Sequence, residues 1–575
     1  LTGVTAIIYD QTCAAEKRRR RKRGTYPDPA KRAFINELVC EGCGDCGVQS
    51  NCVSVVPKET ELGRKRAIDQ SNCNKDFTCV DGFCPSFVTV EGAAPRKPQS
   101  GTTAVAADTS AETPWPVLPT PVPAASDKPY AIVVGGIGGT GVVTVSALLA
   151  MAAHVAGKGV TVLDVAGLAQ KNGAVYAHVR ICDDPAKLFA VRIAAGGADL
   201  LMGCDMVTAG GDETLGKLQA GRTRAVINAH ETMTADFTRS PDLKFPEAQL
   251  RDALDTATGN AAAYVEATEL ARRLMGDSIA ANLFLIGYAF QKGLLPLTEA
   301  AIVRAIELNG VAVEANIRAF TWGRRAAHDL AAVQKAAGMG VGGERPSTRA
   351  DAKPEADFVA NREADLTAYQ DAAYAARYRT LIERVAATEA AKAPAAGGEL
   401  ADAVARAYFK LLAYKDEYEV ARLYTDGRFQ AQLAEAFEPG AKLKFHLAPP
   451  WLAAEDPITG RPLKKTYGPW VFTAMKLLAG MKRLRGTAFD PFGRVGERRA
   501  ERLDIADFET LVAALIDGLT PDNHATAVAL AGLPMKLRGY GHVKDKARRE
   551  MHSRQAELMR EFMDGGGGTT QIAAE

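Results

Sequence analysis

The chain has 575 residues, of which 47% are hydrophobic and 24% charged, with a formal net charge of +2. That length is enough for about three domains, the composition is that of an ordinary globular protein, and the near-neutral balance gives no global argument for nucleic acid or a membrane surface. No apolar run approaches the roughly 20 residues that span a bilayer. At the start, Val4–Tyr9 is apolar and expected as a strand, the edge of a domain whose body lies upstream. Lys17–Arg23 is an unbroken basic run; a solvated helix face is favoured over a nucleic-acid patch or a docking spot for an acidic electron carrier.

Seven of the ten cysteines lie between Cys40 and Cys84. Cys40-Glu41-Gly42-Cys43-Gly44-Asp45-Cys46 is a C-x2-C-x2-C loop, Cys52 follows it, and the second run is Cys73-x5-Cys79-x4-Cys84-Pro85. Such a loop wraps three corners of an iron–sulfur cube, and in two-cluster ferredoxins the Cys before Pro ligates the other motif's cluster. The spacing assigns Cys40, Cys43, Cys46 and Cys84 to one 4Fe–4S site. Cys52, Cys73 and Cys79 remain for a second site, with Asp76 where a cysteine would stand. An oxygen ligand holds iron weakly, so the second site is expected to be 3Fe–4S, a labile 4Fe–4S or empty. Structural zinc normally takes two separated pairs, not three thiols in one short loop. A disulfide framework is disfavoured, because only Cys13, Cys182 and Cys204 lie outside the block and nothing resembles a signal peptide. Reduced thiols in cytoplasm are expected.

Residues 93–129 carry eight prolines among Ala, Ser and Thr and are expected to form a semi-extended linker without a core. An α/β pattern follows: Tyr130–Val134 as a buried parallel strand, Val142–Ala156 as a helix, then strands at Val160–Asp164, Ala174–Ile181 and Arg224–Ala229. Pro246 to about Ala327 reads as helical, with a turn around Gly287–Gly293. A second linker is expected over 338–354. The remainder, Ala368–Met563, is mostly helical, with helices at Leu400–Lys415, Pro469–Arg485, Gly496–Leu519 and His542–Phe562, one strand at Lys442–Leu447, and a disordered tail at Gly565–Gly568.

Gly135-Gly136-Ile137-Gly138-Gly139-Thr140-Gly141 lies between strand and helix. Gly136, Gly138 and Gly141 match the dinucleotide fingerprint, and Asp164 is placed to meet a ribose hydroxyl. A nicotinamide or flavin site is therefore one reading, and tight strand–helix packing is the other. Gln170, Lys171 and Asn172 put amide and cationic groups in one turn, and His178 and Arg180 follow on a strand. These face an anionic ligand, or else His178 is satisfied by backbone.

The cysteine block, Val133–Val143 with its glycine loop, Leu168–Gly173, His178–Ile181 and Ala305–Glu314 together resemble the 2-oxoacid:ferredoxin oxidoreductases, in particular the long fused indolepyruvate type of bacteria. Leu412–Tyr424, Phe445–Pro450 and Arg538–Val543 resemble the C-terminal extension of the fused form. The blocks occur in the family's order over nearly the whole chain.

The resemblance implies six segments: 1–30, the end of a thiamine-diphosphate-binding domain; 31–92, a ferredoxin-like 4Fe–4S domain; 93–129, a linker; 130–330, an α/β γ-type domain with a parallel sheet; 331–364, a linker; and 365–565, a helical C-terminal domain. It implies oxidative decarboxylation of an aryl 2-oxo acid to an acyl-CoA, with electrons passing through clusters to ferredoxin or a similar acceptor. Thiamine diphosphate and magnesium serve the complete enzyme, and coenzyme A is a substrate. Gly136, Gly138, Gly139 and Gly141 with Gln170, Lys171 and Asn172 become the expected cofactor-binding residues. A homo-oligomer without nucleic-acid or membrane partners is expected. No Gly-Asp-Gly followed by Asn at the thiamine-motif spacing is present, so decarboxylation is not expected of this chain alone. Two other readings compete: an iron–sulfur oxidoreductase using NAD or flavin on the Gly136 loop, and a nucleic-acid binder with a zinc knuckle.

Overall fold

The computed structural model describes residues 14–96, 115–166, 173–339, 358–450, 453–458 and 460–564, and Val4–Ala6, Ile8, Asp10 and Thr12 near the start. They fall into two compact units. One holds Leu1–Asp28, Ser71–Asn74 and Lys97–Pro346; the other holds Pro29–Gln70, Lys75–Arg96 and Ser347–Glu575. The expected linker at 338–354 lies almost wholly outside the described residues, and the Gly565–Gly568 tail and Cys13 lie entirely outside them.

In the cysteine-bearing unit, β1 (Lys31–Ile35) pairs antiparallel with β4 (Phe87–Glu91), and β2 (Val55–Lys58) pairs antiparallel with β3 (Lys65–Ile68). The β2–β3 turn closes through reciprocal backbone bonds between Thr60 and Gly63, and Gly63 takes a positive φ of 85°.

The other unit is built on a six-stranded sheet. Its strands are β5 (Tyr130–Ile137), β6 (Gly159–Ala166), β7 (Ala174–Cys182), β8 (Leu200–Gly203), β9 (Arg224–Asn228) and β10 (Ala262–Val265), in the order β10-β9-β8-β5-β7-β6. The expected all-parallel sheet is mixed. β10, β9, β8 and β5 run parallel, while β7 lies antiparallel to both β5 and β6. The reason is local: only a short connection joins β6 to β7, enough for an antiparallel return and too short for a parallel crossover.

Helices cover the sheet, and several details depart from the sequence reading. Gly287 does not sit in a turn. It lies inside the Ala281–Gln291 helix, where an added Cβ would come 2.0 Å from the Phe320 carbonyl oxygen; on the facing Val313–His328 helix, one at Gly323 would come 1.9 Å from that of Phe284. The two glycines let the helix backbones touch. The stretch expected to be helical throughout is interrupted by β10, whose four residues are too few for a periodic signal. β8 went unread for the same reason. The described positions of Val4–Tyr9 form no strand. The second half of the proline-rich stretch is extended and bound to its unit: Trp115 packs edge-on against Trp322 at 5.2 Å, Gln291 Nε2 donates to Pro119 O at 2.6 Å, and Ser126 Oγ to Asp183 Oδ1 at 2.8 Å.

The rest of the cysteine-bearing unit is mostly helical. Helices at Ala372–Lys392, Glu399–Leu412, Gly496–Gly518, His524–Gly532 and Gly541–Met563 bury one core through Leu400, Val404, Tyr408, Phe508 and Leu530. β11 (Lys442–Leu447) pairs antiparallel with β4, and β12 (Lys465–Tyr467) pairs with β11. One four-stranded sheet, β1-β4-β11-β12, thus joins the cysteine segment to the C-terminal segment. Among the described residues no helix is long and apolar enough to cross a membrane.

Candidate functional site

The first cysteine loop is shaped by its glycines. Gly42 and Gly44 take φ of 69° and 82°, values that other residues reach only with strain. A Cβ on Gly42 would lie 2.2 Å from Arg64 O, so the loop packs directly on the backbone of the β2–β3 hairpin. Gly44 ends the loop as N-cap of the Asp45–Ser50 helix. A Cβ on Gly82 would come 2.9 Å from Cys46 Cα, and the Phe83 N–H donates to Asp45 Oδ2 at 2.6 Å. These contacts bring the Cys84 segment against the loop.

Cys40, Cys43, Cys46 and Cys84 therefore form one electrostatic group. Burial pushes the Cys43 and Cys46 thiols up, and Cys84 and Cys40 push them further. Burial also raises Cys84, while Lys464 opposes the rise. The Gly42 N–H donates to Cys40 Sγ at 3.4 Å, Ser86 Oγ lies 3.0 Å from Cys84 Sγ, and buried Arg66 favours the Cys46 thiolate. Among the described residues no three His, Cys, Asp or Glu side chains converge as ligands of one ion. Thiols that hold separate corners of a cluster stand farther apart than ligands of a single ion.

The C-terminal segment clamps this loop. Lys415 forms an ion pair with Glu41 and also reaches the carbonyls of Val39 and Cys40 at 3.4 and 3.3 Å. Burial resists ionisation of Glu41, but Lys415, then Lys65, Lys410 and Lys544, hold its carboxyl below the usual range. Tyr540 Oη donates to Val39 O at 2.6 Å, Tyr424 Oη to Pro85 O at 2.7 Å, and Lys464 Nζ to Val80 O at 2.8 Å. The sequence reading gave none of these side chains a role. Lys415, Tyr424 and Tyr540 nevertheless fall inside the blocks Leu412–Tyr424 and Arg538–Val543 that carry the resemblance.

Cys52 and Cys79 are buried in the same apolar cluster as Cys40 and Cys46, with Val55, Val80 and Phe87. Cys73 belongs to the 71–74 segment of the other unit. Asp76 is exposed; its Oδ1 accepts from the backbone N and Oγ1 of Thr78 at 3.3 and 3.2 Å. That is a turn-forming arrangement of an ordinary kind.

In the other unit, the glycine loop follows β5 and leads into the Val142–Val155 helix. A Cβ on Gly136 would meet Val142 Cγ2 at 2.6 Å and Cys204 Cβ at 2.7 Å, and one on Gly138 would lie 3.0 Å from Gly173 O. The Gly138 N–H donates to Gly173 O at 2.7 Å. Gly139 and Gly141 have φ of 86° and 102°. Asn282 Nδ2 donates to Thr140 O at 3.0 Å, and Arg18, from the basic run, reaches Gly139 O at 3.4 Å. The basic run is a helix, Ala14–Lys22, with a Glu16–Arg20 ion pair.

The dinucleotide reading does not survive this topology. In the dinucleotide fold the strand after the first helix lies beside the first strand; here β7 separates β6 from β5. The Asp164 carboxylate accepts from Ser146 Oγ at 2.8 Å. His178 is buried, its Nδ1 accepts from the Ile193 N–H at 3.3 Å, and burial holds it below the usual imidazole range. Arg180 Nη1 donates to Ala190 O at 2.7 Å. Gln170, Lys171 and Asn172 lie outside the described residues.

β5 is flanked by β7 on one side and β8 on the other, so its carboxyl end is a switch point of the sheet, the usual place for a ligand crevice. Asp205 follows β8 at this end of the sheet: Oδ1 accepts from Thr208 N at 2.8 Å, Oδ2 is buried without a hydrogen bond, and burial pushes the carboxyl up.

The pyruvate ferredoxin/flavodoxin oxidoreductase family model matches residues 131–326, and a family of unknown function, DUF6537, matches 356–557. Indolepyruvate oxidoreductase subunit IorB of Pyrococcus horikoshii is 31% identical over 208 residues, 35% of this chain and 98% of that protein. The subunit of the same name from Archaeoglobus fulgidus is 29% identical over 198 residues, 33% of this chain and 92% of that one. Among solved structures, pyruvate oxidoreductase subunit PORC of Thermotoga maritima aligns at TM-score 0.26 and 23% identity, over 34% of this chain and 96% of that chain. The 2-oxoglutarate:ferredoxin oxidoreductase of Magnetococcus marinus aligns at TM-score 0.27 and 16% identity; this chain spans 31% of its length. Through residues 131–326 the chain belongs to the 2-oxoacid:ferredoxin oxidoreductase family of enzymes and resembles indolepyruvate oxidoreductase.

Proposed function

We propose that this chain is the electron-transferring and coenzyme A-handling part of an indolepyruvate-type enzyme, one that converts an aryl 2-oxo acid to an acyl-CoA and passes electrons to ferredoxin. The gathering of Cys40, Cys43 and Cys46 in one glycine-turned loop, with the Cys84 segment packed on it through Gly82 and Asp45, carries the reading. Four thiols, buried at Cys40 and Cys46 and partly buried at Cys43 and Cys84, with an N–H on Cys40 and two cations among them, fit a 4Fe–4S cluster. When bound there, a cluster supplies one-electron transfer. Burial favours the neutral thiols, and Arg66 and Lys464 oppose it by offsetting thiolate charge, while the Gly42 N–H donates to Cys40. Glu41, Lys415 and Tyr540 hold the loop rigid, and an apolar shell limits water.

The crevice at Gly136–Gly141 and Asp205 takes part of coenzyme A. A buried carboxylate with a vacant acceptor suits the amino and hydroxyl groups of an adenosine, and the N-terminus of the following helix suits its phosphates. Gln170, Lys171 and Asn172 border it in sequence. Thiamine diphosphate, magnesium and the decarboxylation itself are assigned to no residue of this chain. A cytoplasmic homo-oligomer is part of the proposal, the free thiols among the described cysteines suiting a reducing compartment.

The test is anaerobic reconstitution with iron and sulfide. The protein should bind at least one 4Fe–4S cluster, visible by electron paramagnetic resonance after reduction, and Cys43→Ala should lose it. Full iron and sulfide retention in that variant, or zinc in place of iron, would overturn the assignment.

A further inference from the structure

The cysteine-bearing unit contains a cavity of about 170 Å3 that the proposed reaction does not use. It opens between the β2–β3 hairpin and the first helices of the C-terminal segment. Eight of its lining residues are Lys or Arg and four are Asp or Glu. Most of the cations are answered by nearby carboxylates: Arg64 by Glu59, Arg406 by Asp402, Arg422 by Glu419, Arg428 by Asp426 and Lys415 by Glu41.

Lys65 and Lys410 are not answered in this way. Lys65 is only 6% exposed, and among the described residues it makes no salt bridge. Lys410 Nζ donates to the Met535 carbonyl at 2.7 Å and likewise meets no carboxylate. Burial depresses both, and Lys415 helps bring Lys65 down to about 8; Glu41 works against the fall in each, so that one carboxylate serves Lys65, Lys410 and Lys415. A buried ammonium short of counter-charge is costly, and here two that share Glu41 with Lys415 face one cavity. The remaining wall is apolar and aromatic, with Phe358, Phe409, Tyr369, Leu62 and Met535. The Arg406 guanidinium stacks on the Phe358 ring at 4.5 Å.

We propose that this cavity binds a small organic anion, with a phosphate or carboxylate head on Lys65 and Lys410 and a flat apolar group against Phe409 and Phe358. The anion adds counter-charge that Glu41, shared among three lysines, supplies only in part, and the aromatic wall selects for a ring or short chain over an inorganic ion. The site goes beyond the proposed reaction, since its residues are neither the cluster thiols nor the glycine crevice. It also gives the region matched by the family of unknown function a ligand-binding role.

The experiment is calorimetric titration of the full chain with phenyl phosphate, phenylacetate and inorganic phosphate. Phenyl phosphate or phenylacetate should bind saturably, and whichever binds more tightly identifies the head group. Inorganic phosphate should bind more weakly than phenyl phosphate. Lys410→Met should weaken binding by about tenfold, the effect of removing one charge-assisted hydrogen bond. Leu62→Trp removes no charge and adds bulk to the cavity lining, so it should abolish binding and decides the matter if Lys410→Met fails to fold. Absence of saturable binding by either aromatic anion, or binding unchanged in Leu62→Trp, would overturn the proposal.

Discussion

The phenol of Tyr540 donates a hydrogen bond to the carbonyl oxygen of Val39 at 2.6 Å, both residues buried, and Val39 is the residue before the first thiol. The C-terminal segment therefore fixes the backbone from which the first cysteine loop departs. Tyr540→Phe leaves a buried carbonyl without its donor. The expected cost is about 1–3 kcal/mol of stability, read by urea unfolding, with faster loss of iron from the reconstituted protein. Unchanged stability and iron retention would show the bond to be incidental.

Lys415 and Glu41 form a second clamp, and both side chains are less than 15% exposed. Removing one partner of a buried pair strands the other charge, so Lys415→Met should cost about 3–5 kcal/mol. The double change Lys415→Met with Glu41→Gln should recover most of it, because the stranded charge is gone. Thermal unfolding of the single and double variants measures the difference. Equal losses in both would place the effect in packing.

Asp76 separates two accounts of the second cysteine run. If its position lies at a cluster, Asp76→Cys raises the iron content and converts any 3Fe–4S signal of the oxidised protein to a diamagnetic 4Fe–4S state. Electron paramagnetic resonance reads this directly. If iron content and spectrum stay the same, Asp76 serves only the Thr78 turn that it caps.

Gly138→Val brings a branched side chain against Gly173 O, which a Cβ alone would meet at 3.0 Å. Overpacking of this kind costs about 1–3 kcal/mol. Coenzyme A affinity should fall by about tenfold, and NADH should bind neither the parent nor the variant. Micromolar NADH binding by the parent would reverse the assignment of the crevice.

His446 carries a pH dependence. Its ring nitrogens face Thr89 Oγ1 at 2.6 Å and Thr466 Oγ1 at 3.2 Å, and burial, then Lys464, Lys31 and Lys444, lower its pKa to about 4 from 6.5. Between those values the unfolded chain binds more protons than the folded one, so this stability is present above pH 6.5 and is lost as pH falls toward 4. Discounted for its partial exposure, the loss between pH 7.5 and 5 is about 1 kcal/mol. His446→Gln should lose correspondingly less over that interval in urea unfolding. Identical losses in both proteins would exclude His446 as the source.

What was legible in the sequence was local chemistry and long periodic segments. The cysteine spacing predicted the grouping of Cys40, Cys43 and Cys46, because seven residues of chain allow few other arrangements once Gly42 and Gly44 turn it. Gly82 and Asp45 set the segment that holds Cys84 against that loop. Long helices such as Gly496–Gly518, and the alternating strand Lys442–Leu447, announced themselves by period.

Tertiary structure decided whatever depends on partners far apart in the chain. β11 shows its alternation, but nothing in those six residues says that its edge partner is β4. A hydrogen-bonding strand edge has no sequence specificity of its own, and register follows from the hydrophobic faces it must share. Gly287 looked like a turn glycine, since only a facing helix could reveal that its missing Cβ makes room for Phe320 O. The glycine loop fitted a dinucleotide fingerprint until β7 came between β5 and β6, a consequence of sheet order that no local motif encodes. Lys415 and Tyr540 looked like ordinary polar residues for the same physical reason: their roles come from the backbone of Val39 and the carboxylate of Glu41, brought to them only by the fold.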